Sequence, residues 1–156
     1  MNKKTTTHKY FNTTAMDPKV KQYISAQPSD RQAVLTAIHS IIMEEDKTVL
    51  AVIEPMMRQE MIIYKAKGSM KYGLASVKNH MSLHLLPIYG SAALHAKYKL
   101  LLPQASFQKG CINFNTAEKM PLQIVRQLIA DCSGIDLLKI REDYLREKKI
   151  KGKTKK

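Results

Sequence analysis

With 156 residues, 44% of them hydrophobic and 25% charged, the chain has the makeup of one globular domain able to bury a core without disulfide staples. Its net charge of +13 sits mainly at the ends: residues 1–16 carry +3, residues 146–156 carry +6, and the 129 residues between them hold +4, from 16 basic and 12 acidic groups. No apolar run reaches the ~18 residues that cross a bilayer, and Met1–His8 lacks the apolar segment of an export signal, so the chain is expected to be cytoplasmic with no membrane partner.

Residues 1–16 read as a flexible polar leader rich in Thr. Asp17-Pro18 then opens a short helix, with Asp as cap and Pro in the first turn. Ser29-Asp-Arg-Gln32 has the form of a capping box, and Val34, Leu35, Ile38, Ile41 and Ile42 follow at helical spacing to about residue 45. His39 falls beside that stripe and reads as structural or solvent-facing. The period then changes. Thr48–Ile53 and Met61–Tyr64 are short β-rich runs, and Tyr72–Val77 and Met81–Leu86 form a hairpin across Lys78-Asn-His80. Ser91–Leu101 is a small-residue helix with Ala92, Ala93, Ala96 and Leu100 at helical spacing. Phe107–Phe114 is one more strand. Pro121 starts a helix that Gly134 ends, and Ile135–Lys148 is a last amphipathic helix before a basic disordered tail over 149–156. The sum is an α+β domain with a mostly antiparallel sheet.

The Lys78-Asn-His80 hairpin, Leu83 to Pro87, the Lys109-Gly-Cys-Ile-Asn-Phe114 strand and the Pro121-Leu122 helix occur in an order that resembles the YdhG-like family. These are small bacterial domains, some of them described as frataxin-like intracellular iron chaperones. The resemblance covers roughly residues 17–132, leaving 133–148 as a helical extension. It implies N- and C-terminal helices packed together on one face of the sheet, and a cytosolic, non-catalytic binding protein that handles iron.

Four groups of residues are candidates for function. Glu44, Glu45 and Asp46 end the long helix, where the dipole disfavours carboxylates, so a bound cation would offset the cost. The frataxin analogy adds Glu54 and Glu60 to that iron site. His80, Ser82 and His84 alternate along one strand face, with Met81, Leu83 and Leu85 on the other. If helices cover one side of the sheet, the other is open to a small ligand or a second copy of the chain. Tyr64, Tyr72, His80, His84 and Phe107 are the residues from the strands best suited to line such a site, while Leu74 and Phe114 belong to the core. Lys148, Lys149, Lys151, Lys153, Lys155 and Lys156 are the alternative, a weak, non-specific hold on nucleic acid through counterion release. Cys111 and Cys132 read as buried thiols, and no Gly-x-Ser-x-Gly, phosphate loop or Cys-x-x-Cys appears, so no catalytic residue is assigned.

Overall fold

The computed structural model describes residues 16–154. The leader expected over 1–16 lies outside these residues except for Met16, and so do Lys155 and Lys156. Helix α1 (Pro18–Ser25) opens as the sequence predicts, with Lys19 N donating to Asp17 Oδ1 at 2.8 Å. Helix α2 (Ser29–Glu45) buries the predicted stripe, but its start corrects the capping box. Pro28 occupies the cap, and Ser29 is already helical with no side-chain bond. Gln32 Nε2 instead donates to the Ser25 and Gln27 carbonyls at 3.2 and 2.8 Å, tying the end of α1 to the start of α2.

Three long strands follow: β1 (Val49–Met56), β2 (Gln59–Ala66) and β3 (Ser69–Ser76). The two short runs read from the sequence are in fact a full hairpin. Pro55 does not interrupt β1, because β1 is an edge strand, where proline's missing N–H breaks no central ladder. Met57 and Arg58 have φ of 51° and 70°, the left-handed pair whose twist suits a two-residue hairpin. Lys67 and Gly68 repeat the device between β2 and β3, at 53° and 81°.

Strand β4 (Met81–Leu85) leads into a single turn, α3 (Leu86–Tyr89), and then α4 (Ala92–Leu101). The expected strand over Phe107–Phe114 is instead a hairpin of β5 (Ser106–Phe107) and β6 (Cys111–Phe114), closed where Gln108 N donates to Cys111 O at 2.9 Å. All strand pairs are antiparallel, in the order β1-β2-β3-β4-β6-β5. A 3₁₀ turn (Ala117–Lys119) precedes α5 (Leu122–Ser133) and α6 (Leu137–Thr154).

The main core forms between the helices and one sheet face. Val20 and Ile24 of α1, the α2 stripe and Val125, Leu128, Ile129 and Cys132 of α5 pack on Ile62, Tyr64, Tyr72, Leu74, Leu83, Leu85, Ile112 and Phe114. Helix α4 joins through Leu94 and Tyr98 rather than the expected alanine side, leaving Leu100 exposed. Its tie to α5 is polar: the Tyr98 hydroxyl and Lys97 Nζ both donate to Asp131. Arg31 of α2 clasps the β3–β4 turn, its guanidinium donating to the Val77, Lys78 and His80 carbonyls. Helix α6 corrects the expected tail, since residues 149–154 continue the helix. Asp136 caps it, accepting from Leu138 N and Lys139 N at 3.1 and 3.2 Å, and Lys, Arg and Glu are good helix formers.

Candidate functional site

The five residues predicted to line one pocket do not share a face. Tyr64 and Tyr72 point into the core beneath the helices and are fully buried. The Tyr64 hydroxyl lies 2.8 Å from His39 Nδ1, and Tyr72 Oη donates to Asp46 Oδ2 at 2.7 Å. Phe107 also faces the core, edge-on to His95 with ring centroids 5.6 Å apart. His80 stays in the turn before β4. Its carbonyl accepts from Val77 N at 2.9 Å, and its side chain lines a polar hollow of about 290 Å³ with Asn79, Gln104 and Asn113. Of the five, only His84 lies within a strand on the face opposite the main core.

The acidic candidates are drawn apart rather than together. Arg126 of α5 pairs with Glu44 at 2.9 Å and Glu45 at 2.7 Å, supplying the positive charge that the end of α2 calls for. Glu54 pairs with Lys65 at 2.7 Å, and Glu60 is exposed opposite Pro55. Asp46 is buried beside Lys71, at 2.8 Å, and accepts from Thr48 N at 3.0 Å. A β-bulge makes that pair. The β2–β3 register passes from Tyr64↔Tyr72 to Lys65↔Met70, skipping Lys71, so the extra residue swings toward the helices. Burial pulls the Asp46 carboxyl up, and its bonds from Lys71, Thr48 and Tyr72 outweigh that pull and hold it below the usual range. Among the described residues, no three His, Cys, Asp or Glu side chains gather as a metal-holding group.

Beside this network lies a cleft of about 490 Å³, lined by Met16, Asp17, His39, Met43, Glu44 and Lys47 among others. Burial pushes the His39 imidazole down to about 4, with Asp17 pulling weakly the other way, so His39 is neutral at pH 7 and fixed by Tyr64. His39 is thus structural, one of the two roles its sequence position allows.

The opposite face of the sheet carries a second, smaller cluster, in which Met61, Ile63 and Ala75 are buried. Its apolar cluster of Met61, Ile63 and Ala75, with Val52, Met56 and Met70 around them, is drawn from β1, β2 and β3 alone. One row crosses the sheet from Val52 through Ile63, Gly73 and His84 to Cys111. Gly73 is the low point of that row. A Cβ built there would lie 2.8 Å from Met70 Cε, 3.2 Å from Met61 Sδ and 3.4 Å from the Cβ of cross-strand His84, so the ends of two methionines lie over bare backbone. The next row carries Ser82, whose hydroxyl donates to Asn113 Oδ1, and Cys111 Sγ donates to the same oxygen at 3.3 Å. Burial lowers the His84 imidazole and raises the Cys111 thiol, so both groups are neutral at pH 7. Cys132 is fully buried under the helices and pushed up to about 12, which makes it inert.

The sequence reading missed Met61, Met70 and Gly73 on this face. A glycine inside a strand pattern signals close approach of other groups, and Gly73 carries that signal. Lys148, Lys149 and Lys151 are exposed on α6; Lys153 is helical, and Lys155 and Lys156 lie outside the described residues. No family model, curated protein or solved structure matches the chain.

Proposed function

We propose that the protein is a non-catalytic binding domain whose working surface is the sheet face opposite its main core. One observation carries this reading: a second apolar cluster, half of it methionine, is built from β1, β2 and β3 side chains apart from the main helix-backed core. Methionine fits a surface that must adapt to what it holds, because its unbranched chain repacks at low cost. Against catalysis, the half-buried Cys111 thiol is held protonated and hydrogen-bonds an amide rather than a base. The test is a fragment screen followed by ¹³C-methyl methionine NMR. Hits that shift the Met56, Met61 and Met70 methyls support the reading, whereas hits confined to the cleft beside His39 remove it.

A narrower form, iron handling within the YdhG-like family, rests on Glu44, Glu45, Asp46, Glu54 and Glu60. Ferrous iron would first have to displace Arg126, Lys65 or Lys71 from these carboxylates. Anaerobic calorimetry tests it: heat that falls when Glu44 and Glu45 are replaced by Ala supports the site, and no heat rejects it.

A second reading, from a different class, is favoured by α6, where every residue from 139 to 152 is exposed and Arg146, Lys148 and Lys149 follow in close succession. Such a helix suits the phosphate backbone of RNA or DNA. A labelled poly(U) whose affinity falls steeply with salt, and falls again on Lys148→Gln/Lys149→Gln, supports it. Salt-independent affinity, or none, rules it out.

A further inference from the structure

We propose that the hollow between the β2–β3 turn and the joint of α5 and α6 binds a small, neutral, apolar molecule bearing one hydrogen-bond acceptor, such as a ketone. This site is separate from the sheet face opposite the main core. The cavity measures about 200 Å³, and Thr48, Ala66, Lys67, Lys71, Ile135 and Leu138 are among the residues that line it. That is below the roughly 300–1,000 Å³ of sites for drug-sized molecules, so its occupant is small.

Two local features frame the space. The β2–β3 bulge turns Lys71 toward the helices, and α5 stops at Gly134 before α6 starts at Leu137. Lys71 is the one buried residue of the lining, 2% exposed, so it forms the floor. Ala66, Ile135, Leu137 and Leu138 are half-buried and supply apolar walls. The floor also carries an unused donor. An ammonium has three N–H groups. Lys71 Nζ directs one to Asp46 Oδ2 at 2.8 Å and one to the Ser133 carbonyl at 3.1 Å, and among the described residues no acceptor takes the third.

Charge then selects the guest. Lys71 is neutralised by Asp46, and Lys67 by Asp136 at 3.0 Å on the exposed rim, so the four charges around the cavity cancel. A carboxylate guest would find no free cation and would lie near two carboxylates, while an amine would meet the buried ammonium. A carbonyl oxygen takes the remaining N–H without adding a charge, and its apolar remainder packs on the isoleucine and leucine walls.

Acetophenone is the probe, with benzoate and ethylbenzene as charged and acceptor-free counterparts on the same ring. Each is titrated into the full chain and followed by amide and methyl NMR. Acetophenone is expected to shift the Gly134 amide and the Ile135 and Leu138 methyls together. Ethylbenzene should bind about threefold to tenfold more weakly, because it leaves the donor unmet, and benzoate should also bind more weakly than acetophenone. Asp46→Leu with Lys71→Met replaces the ion pair by an apolar pair, removes the donor and should erase the preference for acetophenone over ethylbenzene. Leu138→Ala trims one wall without touching the ion pair and should weaken acetophenone about threefold or more. The proposal is overturned if acetophenone leaves those signals unshifted, or if benzoate or ethylbenzene binds as tightly. It is overturned equally if the double variant folds and keeps the preference, or if Leu138→Ala binds acetophenone unchanged.

Discussion

The two faces of the sheet solve opposite problems. Beneath the helices every polar group is spoken for: Asp46 takes Lys71, Tyr72 and Thr48, His39 takes Tyr64, and Arg126 answers the two glutamates that end α2. Among the described residues, no buried side-chain nitrogen or oxygen lacks a partner. On the far side the side chains are soft and adaptable, with two methionines lying over a glycine and a neutral histidine and thiol beside them. A face whose polar groups are consumed internally specifies the fold, whereas one built from adaptable donors is free to hold something else. Glu44, Glu45 and Asp46, the carboxylates at the end of α2, belong to the first face and are already paired.

The largest effect should come from the covered face. Asp46→Ala leaves Lys71 buried without its carboxylate and is expected to cost about 3–5 kcal/mol in urea unfolding. Replacing both, Asp46→Leu with Lys71→Met, should recover most of that loss, because an apolar pair of similar volume needs no counter-charge. Failure of the double variant to recover would show that the network does more than neutralise itself.

His39 gives the next largest effect. Its folded value of about 4 lies below the unfolded value of about 6.5, so between those pH values the unfolded chain binds more protons and stability is lost as the pH is lowered. The loss should approach about 3 kcal/mol by pH 4, and His39→Gln should flatten that slope. Asp46, with a depressed value of its own, adds a separate loss at lower pH as its carboxylate protonates.

Changes on the face opposite the main core should be milder. Gly73→Ala meets the flexible ends of Met61 and Met70, with the His84 Cβ at 3.4 Å, and is expected to cost about 1 kcal/mol or less while displacing both methionine ends and moving their methyl resonances. A loss as large as that of Asp46→Ala would mean that this face is core after all. Smallest of all, Lys148→Gln/Lys149→Gln on the exposed part of α6 should leave stability within about 0.5 kcal/mol.

Much of the layered fold was legible because its signals are local. The Asp17-Pro18 cap, the α2 stripe, the Lys78-Asn-His80 hairpin and the Pro121 and Gly134 boundaries each rest on one residue's backbone preference or on one period. What escaped was long-range. The bulge that turns Lys71 toward Asp46 depends on β2–β3 register, and one position decides which face a side chain takes. Pro55 hid the length of β1 because its edge position cannot be read from the strand itself. For the site, the alternation of Ser82 and His84 against Met81, Leu83 and Leu85 was legible, and their companions were not: Met61 and Met70 come together over Gly73, in the row of His84, only once three strands are set in register.

Peroxide footprinting read by mass spectrometry tests the role of the face opposite the main core most directly, with and without a protein-free cytosolic filtrate. Met57, 75% exposed at the β1–β2 turn, serves as the internal control, and Met81 and Met120, both buried, mark the slow limit. The account predicts that the filtrate slows oxidation of Met56 and Met70 and leaves Met57 unchanged. Equal rates at Met56 and Met70 in both conditions, with protection appearing at Met16 and Met43 beside the His39 cleft, would contradict it.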